Sequence, residues 1–266
     1  MRVAAILLNT ARVEAWPGGL LRARGNHDAR ELAGADHVLR RKRDGEYLAV
    51  VRAGMLQPLR PGFATEPGLD EAMQAIASAA RHRRPGIDAV PGLPLVQLQA
   101  RLDRLGLDAE AYAQQTGLAL VAEPAWLALA GFDRYRRPLW LRAPAALAWQ
   151  RMRDAALGDG VLLEAISGYR SHDYQMGIFE RKLARGQSVD EILTVNAAPG
   201  FSEHHGGQAL DVGTPGEPPA EESFEATPTF AWLQGNAEAF GFRLSYPRGN
   251  PYGITYEPWH WAYSDS

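Results

Sequence analysis

The 266-residue chain contains no cysteine, which excludes disulfide frameworks and thiolate-bound zinc or iron–sulfur sites. Lysine is almost as scarce: of 28 basic residues only Lys42 and Lys182 are lysines, so any lysine chemistry falls to one of those two. No stretch approaches the ~20 apolar residues of a membrane-spanning helix. A formal charge of −3 gives no footing for a protein that neutralises phosphates, and nucleic acid is not an expected partner. What remains is ordinary for a soluble globular chain, with 46% hydrophobic and 22% charged residues in a length that suits one large domain or two small ones. The apolar run Val3–Leu8 is shorter than the ~7–15-residue core of a signal peptide and reads as a buried first strand. The expected location is cytoplasmic for the sequence as written, or periplasmic or cell-envelope if the true start lies elsewhere.

Charge divides the chain. Residues 1–92 carry 14 basic and 10 acidic groups, whereas residues 93–266 carry 14 and 21. Between the halves, the Pro/Gly-rich stretch from Arg84 to Gly92 reads as a linker or long connection. We therefore expect an N-terminal α+β region over 1–92 and a second domain over 93–266. In the first, His37–Arg43 and Glu46–Arg52 flank Asp44-Gly45, a strong hairpin signal, and Leu69–Arg84 reads as a helix stopped by Pro85. The run Arg40-Arg41-Lys42-Arg43 is either an anion-binding patch or the solvated side of that hairpin.

Beyond the linker, helical spacing of Leu95, Leu98, Leu102 and Leu105, a helix from an Asp108 cap to Thr116, and a helix over Pro144–Leu157 come first. A buried strand is expected over Val161–Ile166, a helix over Asp173–Arg185, a Ser188/Glu191 capping box, and a helix from Thr227 to Phe240. Gln208–Val212, Phe242–Tyr246 and Trp259–Tyr263 read as strands. Helices first and strands late, without βαβ alternation, predict an α+β fold with a small antiparallel sheet flanked by helices.

Two segments carry chemistry. Ser202-Glu203-His204-His205-Gly206-Gly207-Gln208-Ala209-Leu210-Asp211 and Glu257-Pro258-Trp259-His260-Trp261 together offer imidazoles and carboxylates but no thiolate. That donor set matches a catalytic zinc site with three protein ligands and an open fourth position. Assigning His204, Asp211 and His260 to the metal leaves Glu257 as the carboxylate able to take a proton from an attacking water. A tetrahedral oxyanion needs positive charge beyond the metal, and Arg170 in Ser167-Gly168-Tyr169-Arg170-Ser171 would supply it.

These three blocks, with Gln175 five residues after the arginine and Phe240–Pro247, resemble the signature of VanY-type zinc D-alanyl-D-alanine carboxypeptidases (LAS-type metallopeptidases) over about residues 144–264. The resemblance implies one zinc ion per chain held by His204, Asp211 and His260, Glu257 as general base, and Arg170 as oxyanion and substrate holder. It implies Gln175 and Ser202 as contacts to the terminal residue of the peptide. Tyr246 and Trp259 would line the pocket, while His205 matches no ligand. The implied activity is hydrolysis of the C-terminal D-alanine from peptidoglycan stem peptides or precursors. Alternatives of the same fold are an L,D-carboxypeptidase, a dipeptidase and a wall endopeptidase. From a different class comes a zinc-containing binding module without catalysis. Residues 1–92 share none of this resemblance, and the oligomeric state is open.

Overall fold

The computed structural model describes residues 5–81 and 90–264, so the expected Arg84–Gly92 linker and the last turn of the Leu69–Arg84 helix lie largely outside the described residues. The chain divides into two compact units: one runs to Pro94 and takes back Pro124–Leu129, the other holds Leu95–Glu123 and everything from Ala130 onward. Among the described residues no helix is long and apolar enough to cross a membrane.

The first unit contains β1 (Ile6–Asn9), β2 (Val13–Pro17), α1 (Asn26–Ala33), β3 (His37–Arg41), β4 (Tyr47–Arg52), β5 (Met55–Pro58) and α2 (Leu69–Arg81), joined by the start of β6 (Trp126–Phe132). Its strands lie antiparallel in the order β5-β4-β3-β2-β1-β6. The Asp44-Gly45 hairpin forms as the sequence predicts. A second, between β4 and β5, was not legible: Ala53 and Gly54 both take positive φ (48° and 77°), as a type I′ turn requires, but alanine gives no such signal. Asp36 fastens this turn by accepting the Ala53 N–H at 2.7 Å.

Of the basic run only Arg43 is exposed to solvent; the other three are largely covered. Arg41 is 6% exposed and pairs with Asp44, Glu46 and Glu66, while Arg40 pairs at 2.7 Å with the buried Glu14, which also accepts from Trp16 Nε1. Lys42 is buried as well. Sequence spacing could not find these partners, because Glu14 and Glu66 arrive from other elements.

The second unit contains α3 (Leu98–Asp103), α4 (Ala109–Thr116), β7 (Pro138–Leu141), α5 (Ala143–Gly158), β8 (Glu164–Ser167), α6 (His172–Leu183), α7 (Val189–Leu193), β9 (Ala209–Gly213), α8 (Pro228–Asn236), β10 (Phe242–Leu244) and β11 (His260–Tyr263). Its four-stranded antiparallel sheet runs β10-β11-β9-β8. Caps hold several helices where the sequence placed them: Asp108 accepts from Ala111 N, Ser171 from Tyr174 N and Thr227 from Phe230 N, and Ser188 with Glu191 closes a full capping box. The first leucine helix begins only at Leu98, because Gln97 sits at φ 63° and leaves Leu95 exposed. The strands β6 and β7 correct the expectation of helices first and strands late. Trp126–Phe132 lacks any β-branched residue, so its strand propensity is masked. Asp133 defines the turn after it, accepting the Tyr135 and Arg137 N–H groups at 2.9 and 2.8 Å.

One core cluster gathers Leu98, Leu102, Tyr112, Phe201, Tyr246 and Ile254, and a second gathers Leu105, Met176, Phe179 and Ile192. In the first unit, Arg41→Ala would remove the cation shared by Asp44, Glu46 and Glu66, leaving Arg43 to face Asp44 and Arg60 to face Glu46. The expected loss is about 1.5–3 kcal/mol of stability, by analogy with other hydrogen bonds to charged groups, read as a lower denaturation midpoint at unchanged slope.

Candidate metal centre

Asp211 sits in the middle of β9, directly opposite His260 at the start of β11. Directly paired antiparallel residues present their side chains to the same face, so the register alone brings carboxylate and imidazole together. His204 comes from the 3₁₀ turn Glu203–Gly206 that leads into β9. The three candidate ligand atoms lie within 4.8 Å of one another, and all three residues are buried. His204 Nε2 and His260 Nδ1 converge on Asp211 Oδ1 at 3.3 and 3.2 Å.

The second nitrogen of each ring fixes its tautomer. His204 Nδ1 lies 2.7 Å from the Gly168 carbonyl oxygen, which can only accept, so the proton is on Nδ1 and the lone pair is on Nε2. That Nε2 is buried and has no hydrogen bond, as fits an atom shaped to hold a metal. Gly168 itself is required by close approach: a Cβ there would fall 2.7 Å from Leu139 Cδ1 and 3.0 Å from the Trp140 carbonyl oxygen. His260 Nε2 donates to Glu203 Oε2 at 2.8 Å, leaving Nδ1 to face the cluster. Glu203 carried no assigned role in the sequence, and its one signal was an acidic residue immediately before a ligand histidine.

Electrostatics separate the two imidazoles. Burial, assisted by the Arg170 charge, lowers His204 to about 4. Burial alone would lower His260 too, but hydrogen bonds to Asp211 and Glu203 carry it up to about 10. Burial opposes ionisation of Asp211, yet His204, His260 and Arg170 hold it well below the usual carboxylate range. The two carboxylates thus favour the protonated form of His260, whose Nδ1 faces the place where a cation would bind.

Glu257 lies in the turn before β11, with its N–H on the Tyr246 carbonyl at 3.0 Å and its carboxylate 3.8 Å from His260 Nδ1. Its carboxylate makes no hydrogen bond to another described residue, and burial pushes it up to about 7. Arg170 follows β8, and its Nη2 stands 3.9 Å from Asp211 Oδ2, with Nε buried and unpartnered. Its backbone is clamped: the N–H donates to the His204 carbonyl, and the carbonyl accepts from His205 Nδ1 at 2.7 Å. His205 Nε2 in turn accepts the Gly200 N–H at 3.1 Å, so this histidine is a neutral strut whose pKa burial holds well below the ordinary value. A further clamp is Glu123, which accepts from the Tyr169 hydroxyl and the His172 N–H on either side of Arg170. Nothing in the local sequence marked Glu123, since it precedes its partners by 46 and 49 residues.

Arg170, Gln175, Ser202, His204, Tyr246, Glu257 and His260 line one cleft. Trp259 is not among the residues that line it. Its carbonyl instead accepts the Val212 N–H at 2.8 Å.

Residues 138–266 match the family model described as VanY: D-alanyl-D-alanine carboxypeptidase. A bifunctional D-Ala-D-Ala dipeptidase and D-Ala-D-Ala carboxypeptidase of Enterococcus gallinarum, VanXYC, is 31% identical over 150 residues, covering 53% of this chain and 75% of that protein. The chain belongs to the VanY family. YodJ of Bacillus subtilis is 37% identical over 137 residues, covering 50% of this chain and 49% of that protein. The D-alanyl-D-alanine carboxypeptidase of Enterococcus faecalis is 34% identical over 124 residues, covering 43% and 44%. The chain spans about half the length of these two curated relatives. Among solved structures, the LdcB LD-carboxypeptidase aligns at a TM-score of 0.46 and 34% identity, over 50% of this chain and 64% of that one.

In this VanY-family chain, Glu203 sets both the orientation and the basicity of a candidate ligand. Glu203→Ala is expected to weaken zinc binding about 10–100-fold, as loss of such outer partners does elsewhere. Competition with a chromophoric chelator checks this, and unchanged affinity would mean that Glu203 has no hold on His260. Because folded His260 keeps its proton up to about pH 10, zinc uptake at pH 7 should release protons and tighten as pH rises. Calorimetry in buffers of differing ionisation enthalpy reads that release.

Proposed function

We propose that the protein is a zinc-dependent metallocarboxypeptidase that removes the C-terminal D-alanine from peptidoglycan stem peptides or precursors. One observation carries the reading: two members of the His204/Asp211/His260 cluster, His204 and His260, line one cleft with the carboxylate of Glu257 and the guanidinium of Arg170. Two imidazoles and one carboxylate suit zinc better than magnesium or calcium, which prefer oxygen alone. A single such group occurs among the described residues, in keeping with one ion per chain. The peptidase domain would be the second unit, which contains every residue assigned to the site, while the first unit carries none of them.

Zinc held by His204 Nε2, Asp211 and His260 Nδ1 would polarise the scissile carbonyl and acidify water. The protein's own residues do the rest. Glu257, poised near neutrality by burial, takes the proton of the attacking water and returns it to the leaving amine. Arg170, fixed through its backbone by His204, His205 and the Glu123 clamp, faces the charge that develops on the carbonyl oxygen. Tyr246, its ring centroid 4.8 Å from that of His260, covers the site against water. Gln175 and Ser202 meet the terminal residue.

Incubating zinc-loaded protein with pentapeptide and tetrapeptide stems, and assaying free D-alanine by mass spectrometry, tests the reading. Release from the pentapeptide supports it, release from the tetrapeptide alone makes the enzyme an L,D-carboxypeptidase, and release from neither leaves an endopeptidase or a binding module. Glu257→Ala is expected to keep stoichiometric zinc and lose activity by about 10²–10⁴-fold, the usual worth of a positioned base. Retained turnover would move the base elsewhere. Arg170→Lys should also be damaging, because an ammonium lacks the planar fork of donors, and wild-type rates in that variant would make Arg170 structural.

A further inference from the structure

Lys182, one of only two lysines, lies two helical turns beyond Gln175 on α6, so the two side chains leave the helix on one face. Both reach the segment that follows α7. Gln175 Nε2 donates to the Ala197 carbonyl at 2.8 Å, which leaves Gln175 Oε1 buried and without a partner. Lys182 Nζ donates to Asn196 Oδ1 at 2.7 Å. Asn196 and Gln175 both line the catalytic cleft.

An ammonium has donors only, so the Lys182 contact decides which way the Asn196 amide is turned. Oδ1 belongs to Lys182, and Nδ2, on the opposite edge, makes no hydrogen bond to another described residue. One wall of the cleft therefore holds a fixed donor beside an orphan acceptor, backed by a positive charge. The last residue of a peptide offers the complement: a backbone N–H and a free α-carboxylate.

We propose that Lys182 and Asn196 form a carboxylate-reading pair. Asn196 Nδ2 donates to the free α-carboxylate of the substrate's C-terminal residue, and Gln175 Oε1 accepts that residue's N–H. Lys182 is a positioning residue: it fixes the Asn196 amide and adds its charge to the attraction for an anionic chain end. The inference rests on the carboxypeptidase reading and names what in this chain makes the activity an exopeptidase one. A lysine that merely braced the segment would alter stability or zinc content, but not the choice between a charged and a neutral chain end.

The test compares an N-acetylated peptide ending in D-Ala-D-Ala with the same peptide as its C-terminal carboxamide, on zinc-loaded full-length protein. Wild type is expected to prefer the acid strongly. Lys182→Met should raise KM for the acid roughly tenfold with kcat within about threefold, and shrink the acid-over-amide ratio accordingly, as loss of a charge-assisted hydrogen bond made in binding does. Lys182→Arg, which keeps a donor, should retain part of the preference. Asn196→Asp preserves a partner for Lys182 but replaces the donor with an acceptor, so it should depress the acid reaction far more than the amide reaction. Should Lys182→Met fail to hold zinc, Asn196→Asp decides alone. Wild-type acid-over-amide ratios in these variants would overturn the pair while leaving the carboxypeptidase reading intact. No acid preference in the wild type would overturn both.

Discussion

The pairing of β9 with β11 sets Asp211 against His260, and the remainder of the site is arranged around that register. Side chains alternate along a strand with a period of two, so a slip of one residue would send His260 to the opposite face of the sheet. His204 is then brought to the same point by the short turn that opens β9, and Glu257 by the turn that opens β11. Strand pairing thus does for this centre what helical spacing does for metal sites built on a single helix.

Around the three candidate ligands lies a shell of groups that touch no substrate. Gly168 accepts from one histidine and Glu203 from the other, while His205 and Glu123 hold the backbone on either side of Arg170. Buried polar groups are costly unless satisfied, and here most of that shell is satisfied by backbone partners. Inside that shell, at the cleft, three buried atoms have no such partner: His204 Nε2, Arg170 Nε and Gln175 Oε1. At the cleft, that unmet capacity lies where a metal and a peptide would meet it.

The sequence made the candidate site more legible than the fold. His204, Asp211, Glu257, His260 and Arg170 stand in blocks whose chemistry is local, and helix caps such as Asp108 and Ser188 are local as well. Contributions arriving from a distance left no trace: Glu123 at Tyr169 and His172, Glu14 and Glu66 at the basic run, and the Ala53-Gly54 turn that only tertiary contacts make tolerable. The β6 strand was hidden by its alanines. In each case spacing alone could not say which side of an element would be covered.

The return of Pro124–Leu129 to the first unit gives the chain an interlaced order. Trp126, Leu127 and Ala128 pair with Leu8, Leu7 and Ile6, so the edge of β1 is completed by residues that follow two helices of the other unit. A fragment cut after Pro94 would present β1 with open N–H and C=O groups, a template for association between chains. A fragment beginning at Leu95 would keep β7 beside the matching strand but leave that strand's β1-facing edge open. The two units can be told apart on the folded molecule, but no single cut in the chain separates them, and during synthesis the first cannot close its sheet until the second has begun to emerge.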